Sequence, residues 1–221
     1  MNNWKQSPFV QGFLAPFKPF IKMYYHSKWN HEWKLYLKKY NKIQLNIGAS
    51  VTRYKGWFPT DIGITDFYFD VTDEKCYQKI TEEIKISKVL AEHVFEHLTT
   101  EQIEKALPFL YQYSTKDVNI RIAVPDGFHI DKNYIEQVKI NGKGKGADDH
   151  KQLFTYQSLS TLFEKAGFKS YPIEYWDENG VFHQGYQNDE NGYVKRSMLN
   201  DERNANGKPN YTSLIIDFKK Y

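Results

Sequence analysis

Apolar residues along this 221-residue chain fall into short runs, parted by polar stretches that glycine and asparagine punctuate. Runs at 43–47, 67–71, 86–91, 118–124, 171–175 and 213–218 have strand length and predict strands. Helical spacing fits 73–84, 99–113 and 156–166. In the second of these, apolar residues at 103, 106, 107 and 110 make one buried helix face, with Thr99 as cap and Gln102 three residues on. Gly167 follows the third, where a left-handed terminating residue is expected. Strands alternating with helices in this way require crossover connections and a mostly parallel sheet. The last two runs, joined by a long polar excursion, can instead pair antiparallel at one side.

The polar excursion, 177–210, carries turn signals at Asn179-Gly180, Asn191-Gly192 and Asn206-Gly207. A second loop, 141–150, is glycine-rich, with Lys143 and Lys145 set between glycines. It lacks the Gly-Lys-Ser/Thr ending of a nucleotide-binding P-loop, and a lid over a substrate site is the functional reading beside a plain solvated loop.

Ahead of the first strand the pattern changes. Trp4, Phe9, Phe13, Phe17, Phe20, Met23, Tyr24, Trp29 and Trp33 interleave with lysines, and a helix over 21–40 is expected. Residues 1–42 hold eight lysines against Glu32 alone, a net +7, which leaves the rest at 22 basic against 26 acidic residues, or −4. The reading is a basic aromatic appendage over 1–41, packed by its aromatic side on a domain spanning 42–221. The sharper alternative is peripheral contact of residues 1–40 with an anionic membrane.

A mildly acidic body argues against nucleic acid as partner, because neutralising phosphates needs a basic track. Lone Cys76 excludes an internal disulfide and fits a reducing compartment. No apolar run approaches a bilayer span, and Pro8, Gly12, Pro16 and Pro19 break any signal-like stretch, so a cytoplasmic protein is expected.

The candidate chemistry sits at strand ends. The run Ile43 to Ile47 breaks at Gly48, where a missing side chain lets a ligand approach the backbone. A second strand-like segment, Gly56-Trp-Phe-Pro-Thr-Asp61, delivers a carboxylate suited to a ribose diol. Two later runs end in Ala91-Glu-His-Val-Phe-Glu-His-Leu98 and Arg121-Ile-Ala-Val-Pro-Asp-Gly-Phe-His129. Four polar strand ends in one crevice point to a nucleoside-containing cofactor.

These segments, together with Phe69-Asp-Val-Thr72, Asp148-Asp-His-Lys151, Tyr175-Trp-Asp-Glu-Asn-Gly180 and Arg196-Ser197 through Asp201-Glu-Arg-Asn204, resemble class I S-adenosylmethionine-dependent methyltransferases. More narrowly they are similar to a branch associated with bacterial surface-polysaccharide biosynthesis. The resemblance covers 43–219. It implies an α/β, Rossmann-like methyltransferase fold: a mostly parallel sheet flanked by helices, with an antiparallel edge. It also implies S-adenosylmethionine as cofactor and methyl transfer to a hydroxyl or amine of a small-molecule or saccharide acceptor, such as a nucleotide-linked sugar. On this likeness Asn46, Ile47, Gly48, Ala49 and Ser50 wrap the methionine part, and Asp61 takes the ribose hydroxyls. Asp70 and Val71 lie near the adenine, and Glu92 and His93 line the floor beneath the sulfonium. Two departures stand out. Gly48 is a single glycine with Asn46 where the family has an acid, and only about ten residues part Gly48 from the second strand, leaving little room for a first helix. They motivate an alternative, a non-catalytic or repurposed binding component of glycan biosynthesis.

Methyl transfer to a hydroxyl benefits from a base of near-neutral pKa, which makes histidine the first choice. His93, directly after its strand, is the expected catalytic base. His129 and His150 are reserves, and Asp126 is an orienting or acceptor-binding carboxylate, with Asp148 as another. His93-Val-Phe-Glu96-His97 also matches the His-x-x-Glu-His pattern of one zinc peptidase class, a remote alternative. It abuts a buried strand rather than a long helix, and no third ligand announces itself downstream, so no metal is expected.

Overall fold

A computed structural model describes residues 17–221. Trp4, Phe9 and Phe13 of the N-terminal aromatic pattern lie outside the described residues. The chain forms helix α1 (Lys18–Tyr40), strands β1 (Ile43–Ile47) and β2 (Phe58–Thr60), helix α2 (Glu74–Ile80), strand β3 (Ile86–Glu92) and helix α3 (Thr100–Tyr113). Strand β4 (Ser114–Pro125), helices α4 (Lys132–Val138) and α5 (Tyr156–Lys165), and strands β5 (Phe168–Trp176), β6 (Phe182–Gln184) and β7 (Ser213–Lys220) complete it. No helix among the described residues is long and apolar enough to cross a membrane.

All seven strands join one sheet in the order β2-β1-β3-β4-β7-β5-β6. β2, β1, β3 and β4 run parallel. β7 is antiparallel to both β4 and β5, and β6 folds back on β5. This is the Rossmann-like sheet with an antiparallel edge that the resemblance implied, and the last two apolar runs do pair antiparallel. The chain leaves β1 toward β2 and returns to the other side of β1 as β3. That reversal makes a topological switch point, where the carboxyl ends of β1 and β3 diverge and open a crevice.

Burial explains the strand composition. All five residues of β1 are buried, as are the last eight of β4, Val118 to Pro125. A parallel sheet covered on both faces buries every position, so Gln44, Asn46, Asn119 and Arg121 are buried along with the apolar residues between them. α3 buries Ile103, Ala106, Leu107 and Leu110, the four positions read as one face, and opens on a Thr99–Gln102 capping box. α5 opens on a second box, Thr155–Ser158.

Elsewhere the structure departs from the pattern. Segment 67–71 is not a full strand: it meets β2's end through the bridge Asp61–Tyr68, where Asp61 exchanges backbone hydrogen bonds with Phe67 and Phe69. β2, three residues long, offers no longer ladder. The helix expected over 73–84 stops at Ile80, where the Thr81 hydroxyl donates to the Tyr77 carbonyl. β6 falls in the excursion read as a loop, and α4 in a stretch to which no element was assigned.

No helix covers the β1-to-β2 connection, which runs through turns from Gly48 to Trp57. α1 packs here instead. Trp33 and Tyr36 stack on each other at 5.6 Å and meet Phe58 of β2 at 4.8 and 5.2 Å. The Tyr36 hydroxyl accepts from Gln44 N–H and donates to the Gly56 carbonyl. Both side chains are buried in the same core as β1, β3 and β4. The first turns of α1 leave Phe20, Met23 and Tyr24 exposed.

The polar excursion is pinned by one buried cation. Arg121 of β4 is 1% exposed; its guanidinium grips Asp217 of β7 through Nε and Nη2, and Asp189 through Nη1 and Nη2. Nη1 also donates to the Gly192 carbonyl. A bidentate pair on each side satisfies a charge that would otherwise be very costly to bury.

Candidate active site

Two cavities open at the switch point. The first, of about 450 Å³, lies between the end of β1, the segment after β2 and the start of α3. Its walls are mixed: Ile47, Phe69, Val71 and Leu98 are apolar, while Asp61, Asp70, Thr72 and Gln102 are polar. The second, of about 370 Å³, is more polar and is lined by Asn46, Ser50, Glu92, Glu96, His150, Lys145, Lys195 and Arg196 among others. Gly48, His93 and His97 belong to the walls of both. The volumes are those of small-ligand sites.

All ten residues expected to hold the cofactor line one cavity or the other. Asp61 is fixed by two backbone donors: Ser50 N–H reaches Oδ2 at 2.9 Å and Ile62 N–H reaches Oδ1 at 2.7 Å. The carboxylate thereby ties the loop after β1 to the end of β2, and each oxygen keeps a second lone pair for a ligand hydroxyl. Asp70 Oδ1 accepts from the Thr72 N–H and hydroxyl, both at 2.8 Å, a local turn that holds the carboxyl at the cavity wall.

Gly48 has a reason different from the one its sequence suggests. Its φ is +67°, and a Cβ placed on it falls 2.4 Å from Cγ2 of Val94. The room left by the missing side chain is filled by Val94, so the glycine serves the packing of two strand ends as well as any ligand.

His93 follows β3 with φ +56°, an uncommon conformation for a residue with a Cβ. Its N–H donates to the Ala123 carbonyl, which locks the turn onto β4. The ring spans two partners: Nδ1 stands 2.8 Å from Oε1 of Glu96, and Nε2 stands 3.1 Å from the Ser213 hydroxyl. Glu96 is wholly buried. Burial pushes its carboxyl pKa up, and the adjacent His93 outweighs this and holds it below the ordinary value.

Glu92 is not free beneath the cofactor site. Its Oε1 and Oε2 accept from the backbone N–H groups of Arg196 and Lys195 at 2.8 and 3.1 Å. The polar excursion thus docks on the carboxyl end of β3 and carries two cations to the second cavity.

His150 lines the second cavity, whereas Asp126 and His129 line neither. Asp126 is fully buried, its oxygens accepting from Phe128 and Trp176 N–H. Burial pushes its pKa up to about 6. His129 stacks on Tyr134 at 3.9 Å, with Nε2 3.2 Å from the Pro209 carbonyl. Both brace the loop after β4. The His93-to-His97 segment is a strand end followed by a single 3-10 turn, Phe95–His97, not the helix a zinc peptidase motif needs to put both histidines on one face. Sequence reading did not single out Lys195, Arg196 and Ser213 as site residues; all three come from beyond the 177 turn, and no local pattern signals where that segment lands.

No protein-family model and no curated protein matches this sequence. Among solved structures, a SAM-dependent methyltransferase from Archaeoglobus fulgidus aligns at 14% identity over 87% of this chain and 92% of that one, with a TM-score of 0.47. A SAM-dependent methyltransferase from Anabaena variabilis aligns at 10% identity over 81% and 76%, with a TM-score of 0.46. Magnesium protoporphyrin IX methyltransferase from Synechocystis, with bound SAH, aligns at 10% identity over 98% and 89%, with a TM-score of 0.43. Likeness at this level assigns no chemistry, which has to be argued from the site.

Proposed function

We propose that this protein transfers a methyl group from S-adenosylmethionine to a hydroxyl or amine of a nucleotide-linked sugar or related saccharide. The observation that carries the reading is the pair of cavities meeting at Gly48 and His93 on the switch point. The first has apolar walls and Asp70 for an adenine, and the Asp61 carboxylate for a ribose. The second carries Asn46, Ala49 and Ser50 for the methionine part, and Lys145, Lys195 and Arg196 for an anionic acceptor. Phosphate groups on a sugar nucleotide suit three cations that face one cavity.

S-adenosylmethionine supplies an electrophilic methyl group. The acceptor's oxygen or nitrogen forms the new bond to carbon as the carbon–sulfur bond breaks and sulfur keeps its electron pair. The chain's task is to hold the acceptor in line at roughly 3 to 3.5 Å and keep water out. His93 is our choice to receive the acceptor's proton. Protonated at Nδ1, 2.8 Å from Glu96 Oε1, it keeps a lone pair on Nε2, and the Ser213 hydroxyl beside that nitrogen orients the ring.

Calorimetry with S-adenosylmethionine and S-adenosylhomocysteine tests the reading. The expectation is one site of micromolar affinity for each. Absence of heat at millimolar ligand would leave the alternative, a binding component of glycan assembly that has lost the cofactor.

A further inference from the structure

Beside the proposed cofactor site lies a donor set of which the proposed methyl transfer uses only Glu96, as the neighbour of His93. The donor atoms of Glu96, His97 and His150 all lie within 4.8 Å of one another, on the wall of the second cavity. We propose that Glu96, His97 and His150 bind a divalent first-row transition-metal ion, with open coordination positions facing that cavity.

Three observations carry this. The Glu96 side chain is wholly buried, yet no hydrogen bond reaches either carboxylate oxygen. His93 Nδ1 lies close to Oε1 but is not aligned for a hydrogen bond, and nothing satisfies Oε2. A buried carboxylate in that condition is costly unless a cation completes it. Secondly, His150 is oriented as a ligand would be. Its Nδ1 lies 2.6 Å from the Val138 carbonyl, which fixes the proton there and leaves the Nε2 lone pair for an ion. Metal-binding histidines are held in this way by a carbonyl behind the ring. Thirdly, His97 has the Asp149 carboxylate 3.5 Å from Nδ1, a second orienting partner on the outer side, and its ring meets that of His150 edge-on at 4.9 Å.

Two imidazoles and one carboxylate select for zinc, cobalt, iron or manganese rather than calcium or magnesium, which take oxygen ligands. Lys145, Lys195 and Arg196 on the same cavity point the same way, since they repel a cation held by charge alone. Three protein ligands leave positions open, as in catalytic zinc sites. The His97 and His150 ligands are brought together by the turn after β3 and the loop after α4, so the third ligand cannot be read from local spacing.

The test does not depend on the cofactor reading, because the metal alone is the probe. The untagged full chain, stripped with chelator, is titrated with Co²⁺ and followed by visible absorption and calorimetry. One equivalent should bind with new d–d bands, and Zn²⁺ should displace it. His97→Ala and His150→Ala should each weaken binding by at least about tenfold. His183→Ala, in the exposed β5–β6 hairpin, should bind as the parent does. His97 is partly exposed, so its variant keeps the test open if His150→Ala fails to fold by circular dichroism. Absence of stoichiometric binding by the folded parent overturns the proposal, and so does unweakened binding by a folded His97→Ala variant.

Discussion

Gly48→Ala is the substitution on which the geometry of the two cavities bears most sharply. An alanine here has to hold φ near +67°, which costs about 1 to 2 kcal/mol for a residue with a Cβ. It also brings its Cβ to 2.4 Å from Val94 Cγ2, and overpacking of that kind costs about 1 to 3 kcal/mol. The single variant should therefore lose about 2 to 5 kcal/mol. Val94→Ala alone removes two partly buried methyl groups, a loss of about 1 to 1.5 kcal/mol. The double variant removes the collision and leaves only the backbone strain, so it should be more stable than the two losses added together by about 1 to 3 kcal/mol. Urea unfolding of the four proteins measures this coupling directly. Losses that add within about 0.5 kcal/mol would show that Val94 does not occupy the space beside Gly48, and the account of the strand ends would fail.

Two further predictions concern titration and the cofactor. Burial raises the Glu174 carboxyl from its ordinary 4.5 to about 8, although Met198 N–H partly opposes this. The native state therefore favours the protonated form. Its contribution is complete below pH 4.5 and is lost as pH rises to about 8, up to about 5 kcal/mol at 1.36 kcal/mol per pH unit. Glu174→Gln should flatten the fall of melting temperature between pH 5 and 8.5, and parallel profiles would contradict the assignment. Asp61→Asn should weaken S-adenosylhomocysteine binding about 10- to 100-fold, the range of one charge-assisted hydrogen bond, which calorimetry reads. Unaltered affinity would remove Asp61 from the ribose role.

Much of the fold was legible because burial imposes its own pattern. β1 sets Ile43, Leu45 and Ile47 at alternate positions with both faces covered, and α3 repeats its apolar residues at helical spacing, so both could be read from the chain. α4 was not, since a seven-residue helix with Tyr134 and Val138 as its buried residues has too few turns to establish a period. β6 was hidden for a similar reason: three residues carry no alternation, and only the Asn179-Gly180 turn marks the hairpin. The strand-end residues Asn46 to Ser50, Asp61 and His93 could be placed together because parallel strands must present their carboxyl ends to one edge. His150 with Glu96, and Lys195 with Glu92, meet through irregular loops whose landing points depend on buried contacts such as Arg121 with Asp189. Nothing in local spacing encodes those. The short β1-to-β2 connection was legible, but not that α1 packs against β2 beside it, since that contact joins Trp33 and Tyr36 to Phe58 across the fold.

A crystal structure of the full chain with S-adenosylhomocysteine tests the central claim most directly. The account predicts the ribose hydroxyls on Asp61, the adenine against Phe69 and Val71, and the thioether at the junction by Gly48 and His93. A nucleoside seated elsewhere, or a switch-point crevice that stays closed to it at saturating ligand, would contradict it.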